Sequence, residues 1–387
     1  MSVTLQLDPD ELVGCVACGL CLPHCPTYRV TGLEAASPRG RIAAMQAVQL
    51  HGAPMDAAFA GMMDACIQCR GCEAACPSSV PFGHLMEESR EALAPTRSFG
   101  RRGVSWLAYR VVLPHHVVLV AVTWLILVAQ RLRLLPRRFG LPRLSAWELR
   151  TRLVADPASD ACLFTGCVMD TWQRAVHRAT LHVMRVAGAR PGLPGRGGDC
   201  CGALHAHAGR LREARALARR VMASMPGDAP VVVNSAGCGA AMKEYGRLLG
   251  TARARTFSGR VRDFAEWLAE QPPIELRETG VTAVVQDPCH LRHVQHAEGA
   301  VRAVLSGAYH LVCTDDDGLC CGAGGAYVAT EPELAGRVRD RKVTAIREAA
   351  GSGPFVVASA NPGCAMHLAA AGLTVRHPAE LVEEALP

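Results

Sequence analysis

Residues 15–26, CVACGLCLPHCP, and residues 66–77, CIQCRGCEAACP, carry one cysteine run twice. In each, three cysteines stand two residues apart, and a fourth follows after three more, directly before proline. A cubane iron–sulfur cluster has four iron corners, and each needs a thiolate. Three closely spaced cysteines can curl around three corners of one cube. The fourth, carried off by the proline, leaves that loop and reaches the other cube. The expected ligand sets are therefore Cys15, Cys18 and Cys21 with Cys76, and Cys66, Cys69 and Cys72 with Cys25. A single run would also suit structural zinc or disulfides. Two complete runs, both closing on Cys-Pro, favour clusters over either.

This spacing resembles that of bacterial two-cluster ferredoxins. The resemblance implies a helical N-terminal domain over residues 1–99 holding two 4Fe–4S clusters. Within it, Ser37-Pro38 opens a helical pattern, as a cap residue followed by proline in the first turn. Arg39 and Arg41 then stand either as cations beside a cluster, raising its potential, or as a solvated helix end.

The chain has 387 residues, 50% apolar, which bounds it to two to four domains with real cores. Its 18 cysteines fall in ligand-like spacings and not in a scattered secreted framework, so a reducing compartment is expected. The start, MSVTLQLDPDELVG, has neither a basic nor an apolar run, and no signal peptide is expected. A net charge of +6 without a recognition motif argues against nucleic acid.

Residues 100–155 form a basic, apolar linker. The run Val117–Ala129 is flanked by Arg101, Arg102 and Arg110 before it and by Arg131, Arg133, Arg137, Arg138 and Arg143 after it. As a helix it would cover about 20 Å, short of a bilayer core of about 30 Å. Two readings remain: a helix buried between domains, or one lying at a membrane surface with its arginines facing lipid phosphates.

From residue 156 the sequence repeats itself. Cys167, Cys200-Cys201-Gly202 and Cys238 recur as Cys289, Cys320-Cys321-Gly322 and Cys364, offset by 122, 120 and 126 residues. GDCCGA matches GLCCGA, and VVVNSAGCG matches FVVASANPGC. This is a duplicated unit of roughly 110 residues, placed at 156–272 and 278–387. The strand candidates CLFTGC, VVVNSA, AVVQDP, YHLVC and FVVASA alternate with helical stretches at 208–225, 239–250, 261–271, 291–306 and 332–350. That alternation predicts an α/β fold with a parallel sheet, and ligands then collect at the carboxyl ends of strands. The whole chain thus reads as an α+β multidomain protein.

The duplicated pattern resembles the cysteine-rich (CCG) domains of the heterodisulfide reductase family. The fullest form of that pattern ends in Cys-x2-Cys, but here Ser235 and Asn361 stand at the first position of each terminal pair. Four cysteines per copy suit a cubane cluster, not that family's five-cysteine non-cubane one. Taken whole, the chain resembles the family of glycolate oxidase (glycolate dehydrogenase) iron–sulfur subunits. The resemblance is carried by CVACGLCLPHCPTYRVTG, SPRGRI, CIQCRGCEAACPSSV, SAGCGAAMKEYG, CHLRHVQH, LCCGAGGAYVATEPELAGRVRD and GCAMHLAAAG, in that order. It implies an electron-transfer subunit working with flavoprotein partners that oxidise glycolate to glyoxylate. It also implies a membrane acceptor such as quinone, and a cytoplasmic or peripheral location at the inner face of the membrane. Iron–sulfur subunits of lactate or anaerobic glycerol-3-phosphate dehydrogenases share the architecture. A disulfide-reducing enzyme and a cluster-based redox sensor are the alternatives of another class.

No flavin fingerprint is present. The run from Gly322 to Tyr327 begins like a dinucleotide loop, but it follows a cysteine pair and has Tyr327 where the last glycine belongs. No substrate-processing motif appears, so no catalytic residue is assigned and the flavin is expected on another chain. The cysteines Cys167, Cys200, Cys201, Cys238, Cys289, Cys320, Cys321 and Cys364 have three readings: ligands of one or two further clusters, a redox dithiol, or buried small side chains. Cys162 reads as core and Cys313 as the end of a strand before the turn 314–318. His205, His207, His290, His293 and His296 read as ligands or as surface and supporting side chains. Asp199 and Asp287, close to cysteines, could tune a cluster.

Overall fold

The structure, a computed structural model, describes residues 5–134, 144–314, 316 and 318–387. The expected contributions of Arg137, Arg138 and Arg143, and the turn residues Asp315 and Asp317, lie outside the described residues, as does the side chain of Arg101.

The N-terminal module, residues 5–93, is helical: Pro9–Val13, Pro26–Thr31, Pro38–His51, Ala57–Asp64, Gly71–Ala74 and Phe82–Leu93. Ser37 caps the third of these as its sequence implied, its hydroxyl accepting from Gly40 N at 2.9 Å, with Pro38 in the first turn. Leu12, Met45, Met63, Leu85 and Met86 form the core, and Cys66 and Cys72 are part of it. The cysteine loops are therefore pinned to a rigid helical frame.

Two four-stranded, all-parallel sheets follow. The first comprises β1 (Ala161–Phe164), β2 (Pro191–Gly192), β3 (Val231–Val233) and β4 (Val261–Asp263), in the order β2-β1-β3-β4. The second comprises β5 (Thr282–Val285), β6 (His310–Cys313), β7 (Phe355–Ala358) and β8 (Val375–Arg376), in the order β6-β5-β7-β8. The two orders are the same order, so the duplication seen in the sequence is a duplication of topology. β3, with the sequence VVV, is buried on both faces, as central parallel strands are.

The five strand candidates all lie on strands, but the edge pieces β2, β4 and β8 are only two or three residues long and carry little pattern. Three helical expectations change. The stretch 261–271 begins as β4 and becomes a helix only at Phe264–Ala269, because buried Asp263 ends the strand and caps the helix in a capping box. The stretch 291–306 is a π-type turn, Leu291–Gln295, followed by the helix Glu298–Leu305. The stretch 239–250 divides into Ala236–Lys243 and Tyr245–Leu249.

The sheets share one core. Leu163, Val232 and Phe264 from the first pack in the same cluster as Ala283, Val285 and Ala358 from the second. Their carboxyl ends also meet: Ala236 N donates to Ala360 O at 3.0 Å, and Gly237 N donates to the Asn361 side chain at 3.2 Å. The helical module docks on both. Ile67 enters the core of the second unit beside Cys320, Cys321 and Ala323, a burial that contributes about 1.5–3 kcal/mol.

The linker follows neither expectation alone. His116–Arg131 is a helix with one stripe, Leu119, Thr123 and Leu127, buried against the first unit. Its opposite stripe is exposed.

Candidate metal centres

Both cysteine runs fold the same way. Ala17 and Gly19 flank Cys18 with φ of 55° and 84°, and Gln68 and Arg70 flank Cys69 with φ of 58° and 61°. Left-handed residues on either side of the middle cysteine bend the loop into a cup. Non-glycine side chains there are strained, a cost tolerated where the loop must wrap a group. Cys15, Cys18, Cys21 and Cys76 line one cleft of about 440 Å³, which Cys72 also reaches, together with Arg39, whose guanidinium donates to Ala17 O at 3.2 Å. The first three thiols of one run and the last of the other are thus neighbours. Cys18 is the exposed member.

The complementary set lies deeper. Burial pushes the Cys72 thiol well above its ordinary range, and nearby Cys69, Cys66 and Cys25 add to the shift. Burial likewise raises Cys69, with Cys289 and Cys25 contributing. Cys25 is therefore near the second run. Gln68 N points at the Cys66 sulfur at 3.3 Å, a contact of the kind that tunes cluster potentials. The Thr27 hydroxyl lies 3.2 Å from the Cys25 sulfur and receives Arg41 Nη2 at 3.3 Å.

Arg41 is 1% exposed, which excludes the solvated helix end for this residue. Arg90 sends its hydrogen bonds to the carbonyls of Met63, Asp64, Cys66 and His207. Buried cations of this kind need a compensating negative charge. Four thiolates around iron supply one, and metal binding deprotonates thiols that burial otherwise keeps neutral. By the chemistry of their donors, these residues fit iron–sulfur clusters.

In the first α/β unit Cys167 follows β1, Cys238 sits in the helix after β3, and Cys200-Cys201 turns in between. Cys167, Cys200 and Cys201 are buried and Cys238 half-buried, and the neighbouring thiols and burial push Cys167 and Cys201 well above their ordinary range. In the second unit Cys320, Cys321 and Cys364 are buried and Cys289 half-buried, and the Cys321 and Cys364 sulfurs are 2.9 Å apart. Gly202 and Gly322 have φ of 85° and 89°, and a Cβ on Gly322 would stand 2.6 Å from Ala335 O. Positive φ and close approach together explain why glycine follows each cysteine pair. Ser235 and Asn361, at the departed cysteine positions, hydrogen-bond the sulfurs of Cys238 and Cys364, the latter at 3.4 Å. All 18 cysteines are free thiols. Cys162 is half-buried in β1, and Cys313 is exposed at the end of β6 with Arg302 Nε 3.3 Å away.

The second run and the second unit's set are neighbours: Cys69 and Cys289 pack against the core cluster that holds Cys320, Cys321 and Cys364. A Cβ built on Gly237, beside Cys238, would stand 3.6 Å from the Asn361 side chain and 3.8 Å from His290. The helical module also reaches the first unit's cysteines directly: Gln68, Arg70 and Gly83 line one pocket with Cys201, Gly202 and His290.

The histidines support and do not cluster. His205 reaches Tyr109 O at 2.7 Å and is near enough to Cys200 to help lower that thiol. His290 reaches Gln68 O at 3.2 Å and stacks on His207. Burial pushes His290 down to about 3 and His293 to about 4. Among the described residues no group of three or more His, Cys, Asp or Glu could hold a single metal ion. Asp287 is held by both Arg302 guanidinium nitrogens at 2.9 and 2.8 Å, and Asp199 pairs with Arg220 at 3.5 Å.

An ion network at the three-way junction was absent from the sequence reading. Arg70 bridges Glu73 at 2.7 Å and Glu244 at 2.5 Å. Burial works to raise Glu244, but His84 and Arg70 hold it well below the usual carboxylate range. Arg70 and Glu244 lie 174 residues apart in sequence, and no spacing rule reaches that far.

A family model described as a 4Fe-4S dicluster domain matches residues 11–80, and one described as a cysteine-rich domain matches 161–243 and 283–369. A probable glycolate oxidase iron-sulfur subunit of Bacillus subtilis is 33% identical over 94% of the chain and 89% of its own length. The glycolate oxidase iron-sulfur subunit of Escherichia coli is 32% identical over 98% and 96%. One subunit of the dihydromethanophenazine:CoB–CoM heterodisulfide reductase of Methanosarcina acetivorans is 27% identical over 92% and 88%.

Proposed function

Because the chain belongs to the family of glycolate oxidase iron–sulfur subunits, we propose that it is the electron-transfer subunit of a flavin-dependent glycolate dehydrogenase. It serves glycolate oxidation to glyoxylate and links a partner flavoprotein to a membrane quinone. Two 4Fe–4S clusters are held by Cys15, Cys18, Cys21 and Cys76, and by Cys66, Cys69, Cys72 and Cys25. Further clusters are held by Cys167, Cys200, Cys201 and Cys238, and by Cys289, Cys320, Cys321 and Cys364. Such clusters supply one-electron storage and transfer. The observation that carries this reading is the gathering of four thiol sets in three docked modules, with Cys69 and Cys289 packed against one cluster with Cys320.

The chain's own part is positioning. The helical frame and the strand ends fix the sets, Ile67 and Tyr327 lock the helical module to the second unit, and burial excludes water. The exposed Cys18 loop is the natural face for the flavoprotein. Direct disulfide reduction is less well supported, because Ser235 and Asn361 replace the extra cysteine at each site.

Iron analysis of the purified chain tests the ligand sets. About sixteen irons are expected with all four sets loaded, and about eight would confine clusters to the helical module. Copurification with a flavoprotein and glycolate-dependent quinone reduction by the assembled complex test the function. A complex that turns over equally after loss of its clusters would sink it.

A further inference from the structure

The linker hairpin has two faces of opposite fate. The inward stripe Leu119, Thr123 and Leu127 is buried, and Trp172 Nε1 donates to the Thr123 hydroxyl at 3.1 Å. The outward stripe runs at helical spacing through Val117, Leu125, Val128 and Leu132, with Val117 80% and Leu125 69% exposed. On the preceding arm, Val104 and Trp106 are also exposed, at 72% and 51%. Single exposed apolar residues need no explanation. A stripe of them along one helix face, with further exposed apolar residues on the adjoining helix, marks an interaction surface.

Charge decides the partner. Between Glu91 and Glu148 the sequence has nine arginines and no acidic residue. Of these, Arg102, Arg110, Arg131 and Arg133 are exposed. An apolar helix face rimmed by arginine, with an exposed tryptophan, matches the interfacial zone of a bilayer with anionic headgroups. Among the described residues no single helix is long and apolar enough to span a membrane; the two arms, Arg102–Val112 and His116–Arg131, reach that length and composition only together, and they are bent by 115° to each other.

Beneath this surface lies the first unit's thiol set. Leu119 packs in one cluster with Cys167, Cys200 and Leu217, and His205, in the helix that follows Cys200-Cys201, holds the backbone of Tyr109 on the other arm at 2.7 Å. We propose that the hairpin 102–134 is a monotopic docking surface for an anionic lipid bilayer, holding the Cys167–Cys200 site one helix thickness, about 10 Å, beneath the headgroups. The surface stands on exposure and charge alone. Its use in delivering electrons to a lipid-soluble acceptor rests on the function proposed above.

The test is cosedimentation of the full, cluster-loaded chain with vesicles of phosphatidylglycerol and phosphatidylcholine, and with phosphatidylcholine alone. The chain is expected to sediment with the anionic vesicles, less so as salt is raised, and weakly with the zwitterionic ones. Combined Val117→Glu, Leu125→Glu and Val128→Glu should weaken binding by roughly tenfold or more, as should combined Arg131→Gln and Arg133→Gln. Iron content and circular dichroism should be unchanged in both. Failure of the wild-type chain to sediment with anionic vesicles overturns the proposal, as does wild-type binding by both folded variants. Loss of a copurifying flavoprotein from the glutamate variant, without vesicle binding by the wild type, would assign the surface to a protein partner and also overturn it. Vesicle binding without glycolate-dependent quinone reduction by the complex would leave the surface standing and remove the function.

Discussion

At the residue scale the chemistry rests on sulfur, glycine and a few buried ions. Cys25 is the sharpest test, because it sits beside one run in sequence and near the other in space. Cys25→Ser should disturb the cluster on Cys66, Cys69 and Cys72 and spare the one on Cys15, Cys18 and Cys21, as read by electron paramagnetic resonance. Loss of only the latter would refute the crossed assignment. Gly322→Ala places a Cβ 2.6 Å from a backbone oxygen at φ +89°, and should cost about 1–3 kcal/mol. Gly202→Ala meets Ala214 O at a looser 3.2 Å and should cost less; thermal melts of the two variants check the order. Arg41→Gln removes a buried cation linked through Thr27 to Cys25. A lost positive charge disfavours the reduced cluster, so redox titration should find its potential lowered. An unmoved potential would reduce Arg41 to a packing role.

Elements were legible where their pattern was local. The cysteine runs, the Ser37-Pro38 helix start and the buried strands could be read directly, because spacing, caps and apolar runs act over a few residues. The edge strands β2, β4 and β8 could not, since two or three residues have no period. The helix Arg174–Val186 was missed, and it holds an element-scale switch. His177 Nε2 donates to Thr165 O at 2.8 Å, and its Nδ1 accepts from Asn234 at 2.9 Å, which joins the helix to the loops after β1 and β3. Burial lowers His177 from the ordinary 6.5 to about 4. A depressed histidine contributes stability that is complete above pH 6.5 and lost as pH falls toward 4, roughly 3 kcal/mol for this shift. Denaturant melts across that window should show the loss, and His177→Gln should flatten it.

At the scale of the molecule, three docked modules carry four thiol sets, and the proposed electron transfer depends on that docking. Ile67→Asp would set a charge in the core of the second unit. It should cost at least 3 kcal/mol and uncouple the modules, with limited proteolysis releasing the N-terminal part. Retained glycolate–quinone turnover in that variant would show that electrons do not pass by this contact. The duplicated sheets could be read from the repeated cysteines, but their fusion into one core could not.

The sequence by itself determined the cluster-binding loops, the duplication and the family, because ligand spacing and glycine turns are local demands that only certain residues meet. The tertiary structure alone decided which sets touch, which cations are buried, and which face of the linker is left outward. Those outcomes depend on residues up to hundreds of positions apart, as with Arg70 and Glu244, brought together by burial, which is non-directional and leaves no spacing in the chain.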